Sequence, residues 1–238
     1  MAKKVLITGG TKGIGLASLE KFLEAGFTAA VIARSFEGFK YADDPRVEKY
    51  VFDVEKTGEI TALAKRIGDV DVIVNNVGAG NHDYSYVDYP DDEADRIVRV
   101  NVKAPLEFVR AYSDLFKNRK SGRIINVASQ ASEIGHTDIW YGITKAGLVN
   151  LTKSLASEFG AYGVPVYAVS PGPVETDRTR GANHLERFDR LVNRTYFKRI
   201  ATAEEVAEVI FWLGSSAPEY ISGENIDINN GAQKINLG

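Results

Sequence analysis

A chain of 238 residues is too long for a minidomain and suits one large α/β domain, or at most two small ones. Its 26% charged and 44% hydrophobic residues are ordinary globular composition, and a net charge of −3 provides no basic field for sequence-independent nucleic-acid binding. The absence of cysteine excludes disulfides, thiolate metal sites and cysteine nucleophiles, and three scattered histidines (His82, His136, His184) make no zinc set.

At the N-terminus, Lys3-Lys4 is followed by only three apolar residues, Val5-Leu6-Ile7, before a Gly-rich turn. That is too short for a signal peptide, and no apolar run reaches the length of a membrane span. The expectation is a soluble cytoplasmic protein with no nucleic-acid and no membrane partner. Short β-branched runs then alternate with amphipathic segments. The expected strands are KVLIT (4–8), TAAVIA (28–33), VEKYVF (47–52), DVIVN (71–75), RIINVA (123–128), VYAVS (166–170) and NIDIN (225–229). Most are continuous apolar runs, as strands covered on both faces require.

Helical spacing fills most of the gaps: Ile14, Ala17, Leu19 and Leu23; Ile60, Leu63, Ala64 and Ile67; Val206, Val209, Ile210 and Leu213. Thr202-x-x-Glu205 opens the last of these as a capping box. The alternation predicts an α/β fold: one Rossmann-type, doubly wound parallel sheet of about seven strands with helices on both faces. Residues 35–46 carry little helical pattern, and Gly38 and Pro45 oppose a long helix. Residues 176–201 are expected to form a mobile insertion within a single domain spanning 1–238, because long connections are usually functional or flexible.

The first strand runs into Thr8-Gly9-Gly10-Thr11-Lys12-Gly13-Ile14-Gly15, and a helix pattern follows. Glycines let the backbone turn sharply and approach a pyrophosphate held by helix N–H groups. A bare tight turn is the alternative; the position between first strand and first helix favours the nucleotide. At the end of the second strand, a carboxylate would bind the ribose hydroxyl of NAD and an arginine would accommodate the 2′-phosphate of NADP. Here the acidic position is Ala33, followed by Arg34 and Ser35, and Lys12 offers a second cation. The two could be solvated surface charges. Converging on one site with no competing acid, they favour NADPH/NADP+.

Tyr141 and Lys145 lie four residues apart, on one face if the segment is helical. Alone the pair is weak, because both residue types are common. Ser129 follows the fifth expected strand, and Asn101 lies in the preceding helical segment.

With these residues in view, the chain resembles the short-chain dehydrogenase/reductase family over nearly its whole length, and within it the 3-oxoacyl-carrier-protein reductase-like members. Gly9, Gly13 and Gly15 match the family's cofactor loop. Asp53-Val54 is similar to its adenine-contacting pair, and Asn75-Asn76-Val77-Gly78 to its Asn-Asn-Ala-Gly motif. Asn101, Ser129, Tyr141 and Lys145 fall at its catalytic tetrad. Pro171-Gly172-Pro173-Val174-Glu175-Thr176 resembles the segment that holds the nicotinamide carboxamide.

The resemblance implies roles. Tyr141 would exchange a proton with the substrate oxygen. A phenol titrates near ~10 in water, and a neighbouring ammonium favours its ionised form, so Lys145 would ready it and also hold the ribose. Ser129 would hydrogen-bond the carbonyl oxygen. Asn101 would anchor a water linking Lys145 to solvent.

Departures are equally specific. Ser129 and Tyr141 are one residue closer than the family's usual spacing, with Ser132 a weaker substitute for Ser129. Val77 replaces a small Ala, Ser170 stands where Asn is frequent, and Asn229-Asn230-Gly231 replaces Asp-Gly-Gly. The family's enoyl-reductase branch spaces its Tyr and Lys more widely, so by the resemblance the three residues between Tyr141 and Lys145 favour carbonyl chemistry.

The 177–199 loop, by resemblance the substrate lid, carries Arg178, Arg180, Arg187, Arg190, Arg194, Lys198 and Arg199 against Asp177, Glu186 and Asp189. The excess suggests an anionic substrate or an acidic partner such as acyl carrier protein; local ion pairs on a solvated face are the alternative. Tyr84, Tyr86, Trp140, Tyr196 and Phe197 could shape an apolar pocket or be core. His82 could lie near the pocket; His136 and His184 receive no role. The expected function is NADPH-dependent reduction of a ketone on a small molecule, with a 3-oxoacyl thioester as one candidate. Alternatives are an NADP-dependent alcohol or sugar dehydrogenase, and a cofactor-binding regulator without turnover. The resemblance also implies a homodimer or homotetramer, for which Val149, Leu151 and Leu155 could serve as interface or equally as core.

Overall fold

A computed structural model describes residues 2–81, 83–175, 189 and 191–232. Seven parallel strands form one sheet: β1 (Lys4–Thr8), β2 (Thr28–Ala33), β3 (Val47–Val51), β4 (Val72–Asn75), β5 (Arg123–Val127), β6 (Val166–Pro171) and β7 (Asn225–Ile228), in the order β3-β2-β1-β4-β5-β6-β7. Each falls within one residue of its expected bounds. The register runs Val5↔Ala29 and Val5↔Val72, so β1 pairs on both sides. The order reverses between β1 and β4, and the crevice beyond their C-terminal ends is where such sheets take ligands.

Central strands are buried on both faces, whereas edge strand β3 reads buried, exposed, exposed, half-buried, exposed. Its Glu48 and Lys49 suit an edge, where charge discourages pairing with another sheet. Helices α1 (Gly13–Glu24) and α7 (Ala203–Ser215) cover one face, with Leu19, Phe22, Val206 and Leu213 in that core. The opposite face packs α2 (Ile60–Ile67), α4 (Ala104–Ala111), α5 (Ser113–Arg119) and α6 (Ile139–Gly160) through Ile60, Phe108, Phe116 and Phe159. Leu155, open between interface and core from sequence, belongs to this core, with Leu151 packed against it. Residues 35–46 are turns without a helix, and Phe39 tucks into the core beside α1. The capping box on α7 is present: Thr202 N–H donates to Glu205 Oε2 at 2.9 Å, and Glu205 N–H to Thr202 Oγ1 at 3.3 Å.

The segment expected as one long helix around Asn101 is broken. Helix α3 (Asp91–Val98) runs into a π-helical turn at Arg99–Lys103 and then into α4. The wide turn carries one extra residue, a geometry frequent at functional sites. Asn101 sits in it, fully buried.

Candidate functional site

The end of β1 and the end of β4 are joined by side chains. Thr8 Oγ1 accepts the N–H groups of Asn76 (2.9 Å) and Val77 (3.1 Å), while Asn76 Nδ2 donates to Thr8 O at 3.0 Å. Asn76 therefore acts as a joint as well as a wall. Helix α1 starts hard against this joint. A Cβ on Gly15 would lie 2.2 Å from Gly9 O, so only glycine lets helix and loop approach so closely.

A cavity of about 730 Å³ opens beyond these strand ends. From the sequence-derived set it is lined by Gly9, Thr11, Lys12, Gly13, Arg34, Asp53, Val54, Asn76, Val77 and Gly78. Ile14, Gly15, Ser35, Pro171, Gly172 and Val174 are not among its lining residues. Gly172 is instead pressed on the β7 end, where a Cβ would meet Asn229 Cα at 2.8 Å. Thr176 lies outside the described residues, as do His82, His184, Arg178, Arg180, Arg187 and Arg190.

The cavity also reaches Phe52, Glu55, Ala79, Gly80 and Arg96, which the sequence reading missed. Arg96 grips Glu93 with both Nε and Nη2 at 2.7 Å, and Arg99 pairs with Glu55 at 2.8 Å. The Arg96 guanidinium holds the Glu93 carboxyl below the usual carboxylate range. Asp53 Oδ1 caps its own turn by accepting Glu55 N–H at 3.1 Å. Arg34 and Lys12 differ: both are exposed at the cavity, and among the described residues neither makes an ion pair. A dinucleotide would suit this volume, with a glycine-lined backbone at one end and two uncommitted cations on the wall.

Tyr141 and Lys145 both lie on α6, one turn apart, with the ammonium 5.7 Å from the phenol ring centre. Lys145 is 2% exposed and donates to Val127 O at 2.8 Å. Gly78 passes directly over it, and a Cβ there would lie 3.1 Å from Nζ. The buried cation thus abuts the cavity wall. Ser129 Oγ accepts Ala131 N–H at 3.2 Å, capping a short 3₁₀ turn and keeping its own proton for donation. Ser132 Oγ lies 3.3 Å from Ser170 Oγ, which donates to Asn225 Oδ1 on β7 at 2.8 Å.

The Asn101 side chain is bonded to protein at each of its polar atoms. Its Oδ1 accepts Ala79 N–H at 2.7 Å, and its Nδ2 donates to Ala79 O at 2.8 Å and to Thr144 Oγ1 at 2.9 Å. Both amide protons are engaged by protein. Asp138, unnoticed in the sequence, caps α6 by accepting Tyr141 N–H at 3.0 Å. An Asp just before a helix, three residues ahead of a singled-out Tyr, is the signal that would have found it. The His136 ring leans on the Tyr141 ring at 5.1 Å.

Of the expected basic lid, Arg199 is committed to Glu205 by two contacts of 2.7 and 2.6 Å, so the local-pair alternative holds there. Tyr86, Tyr196 and Phe197 are exposed and Trp140 is half-buried, so none of the four is core. Among the described residues there is no cluster able to hold a metal and no helix long and apolar enough to cross a membrane.

A family model described as "Enoyl-(Acyl carrier protein) reductase" matches residues 9–233. The chain is 30% identical over 241 residues to 3-oxoacyl-[acyl-carrier-protein] reductase FabG of Salmonella typhimurium, covering 98% of each chain. Among solved structures it is similar to a putative NAD(P)-dependent gluconate 5-dehydrogenase from Beutenbergia cavernae with bound NADP (27% identity, TM-score 0.92, 99% of this chain and 98% of that one). It is also similar to ElxO with NADP bound (25% identity, TM-score 0.91, 99% and 100%).

Proposed function

The chain belongs to the short-chain dehydrogenase/reductase family, and on that premise we propose that it is an NADPH-dependent ketone reductase using Tyr141 as general acid. The carrying observation is the buried Lys145 ammonium, 5.7 Å from the Tyr141 ring and against the Gly78 wall of the cavity. A bound nicotinamide supplies hydride to the carbonyl carbon. Tyr141 donates its hydroxyl proton to the carbonyl oxygen as negative charge develops there. Lys145, itself buried, stabilises the charge left on the phenol oxygen. Ser129 directs its hydroxyl proton at the same oxygen.

NADPH is favoured over NADH by Arg34 and Lys12, cavity cations that have no carboxylate partner among the described residues. The one-turn spacing of Tyr141 and Lys145 supports carbonyl rather than enoyl reduction, and the similarity to a 3-oxoacyl reductase supports a 3-oxoacyl thioester as substrate. The likeness to a gluconate dehydrogenase supports a second reading, oxidation of a sugar acid or polyol with NADP+. In either case the reading is one domain over 1–238 with a substrate lid at about 176–201. The protein would work in the cytoplasm as a homodimer or homotetramer.

The test is loss of NADPH absorbance, with NADH in parallel, over a β-ketoacyl thioester, a β-keto ester, a diketone and keto-sugars. Turnover with NADPH that disappears in Tyr141→Phe is expected. Faster turnover with NADH would overturn the cofactor assignment. Tight NADPH binding without turnover on any carbonyl or alcohol would replace the enzyme by a cofactor-binding regulator.

A further inference from the structure

Asp138 is 1% exposed, and among the described residues its carboxylate has no cationic partner. Burying such a group is costly unless hydrogen bonds replace water. Three do. Oδ2 accepts Asn81 N–H at 2.6 Å; Oδ1 accepts Tyr141 N–H at 3.0 Å and the Tyr89 hydroxyl at 3.4 Å. Burial and the nearby carboxylate push the Tyr89 hydroxyl up to about 12, so it stays a donor at working pH. Capping a helix needs only one acceptor oxygen, which Ser or Thr supplies as well. The second oxygen of Asp138 reaches a different segment.

That segment, 79–81, is pinned twice. Asn101 holds both backbone groups of Ala79 and passes to Thr144, whose hydroxyl donates to Tyr141 O at 3.0 Å. Asp138 holds Asn81 and takes Tyr141 N–H. Both backbone polar groups of Tyr141 therefore lead back to 79–81. On its other side the same segment walls the cofactor cavity through Ala79 and Gly80, and Asn81 Nδ2 reaches Glu93, the partner of cavity-lining Arg96, at 3.3 Å.

We propose that Asp138 is a positioning residue that fastens the 79–81 wall to the first turn of α6, so that forming the cofactor wall and aiming the Tyr141 hydroxyl are one event. The proposal rests on the reading of Tyr141 as the proton donor. Asp138 touches no reacting atom in it; it acts through the backbone of Tyr141 and Asn81.

Asp138→Ser separates the cap from the bridge. It keeps an acceptor for Tyr141 N–H and is too short to reach Asn81. Its melting temperature should fall by only about 2–6 °C, the size of the bond lost to Asn81, because the cap survives. Amide exchange across 79–81 should quicken about tenfold or more, and NADPH should bind several-fold more weakly. With a carbonyl that the parent reduces, kcat should fall about 10- to 100-fold with KM for the carbonyl little changed, since small misplacement of a reacting group has effects of that size. Asp138→Asn keeps one acceptor oxygen and the reach, and should recover part of each loss.

Parent-like exchange, NADPH affinity and kcat in Asp138→Ser would show that Asp138 is a cap and nothing more. If Asp138→Ser does not fold, the Asn variant decides by the same readouts. If the parent reduces no carbonyl, the functional reading fails, and exchange with NADPH affinity still decides the bridge.

Discussion

Two walls of one cavity carry cations, and they use them differently. On the wall that carries Arg96 of α3 and Glu55 of the β3–α2 connection, Arg96 is locked to Glu93, and Glu55 to Arg99 of the π-helical turn. On the wall built from the glycine loop and the end of β2, Lys12 and Arg34 face the cavity with no carboxylate partner among the described residues. A paired guanidinium is a strut, whose charge its partner has cancelled. An unpaired cation on a concave surface remains available to an anion that arrives later. On the NADPH reading proposed above, phosphate would be read by the second wall and shape held by the first.

The most drastic way to break that comparison removes the floor both walls stand on. Gly15→Ala places a methyl 2.2 Å from Gly9 O. It should lower stability by about 1–3 kcal/mol and abolish binding of NADPH and NADH together, seen by thermal melting and fluorescence titration. Next in size, Arg34→Ala should weaken NADPH about 10- to 100-fold, the range of a lost charge-assisted contact, and leave NADH unchanged; equal losses for both would erase the distinction between the walls. Lys12→Ala should act in the same direction and more weakly, and either change should flatten the salt dependence of NADPH affinity.

Arg96→Ala sharpens the contrast from the opposite wall. It should affect NADPH and NADH equally, by a few-fold, because it loosens a support rather than a phosphate contact. The smallest effect extends the strut rule beyond the cavity. Arg199 and the Thr202 N–H hold the Glu205 carboxyl down at about 2. Its unfolded value is near ~4.3, so its contribution is complete above that pH and disappears as pH falls towards 2. Glu205→Gln should shrink the loss of melting temperature between pH 5 and pH 3 by only a small amount, since the pair is half exposed.

The sheet was legible in the sequence because burial on both faces forces continuous runs such as TAAVIA and VIVN, whose pattern is local. The glycine loop was legible for a similar reason: a close approach such as Gly15 on Gly9 O leaves no alternative residue. Arg34 was legible as a missing acid. Asp138, Asn81 and Arg96 were not, because each gains its meaning from a partner distant in the chain: Asp138 lies 57 residues from Asn81, and Arg96 borders a cavity built mainly by other elements. The division of α3 from α4 was hidden as well, since a π turn preserves helical apolar spacing on both sides. Leu155 could be read as interface or core until its neighbours in α6 and β6 were in place.

The wide turn at Arg99–Lys103 also has a consequence for how this chain can change. A helix with one residue too many forgoes regular backbone bonding, so selection for durability alone would trim it. Trimming would rotate Asn101 away from Ala79 and Thr144 and release the segment they secure. At this point in the chain, a regular helix and a secured 79–81 segment exclude each other, so a variant shortened here would trade the one for the other.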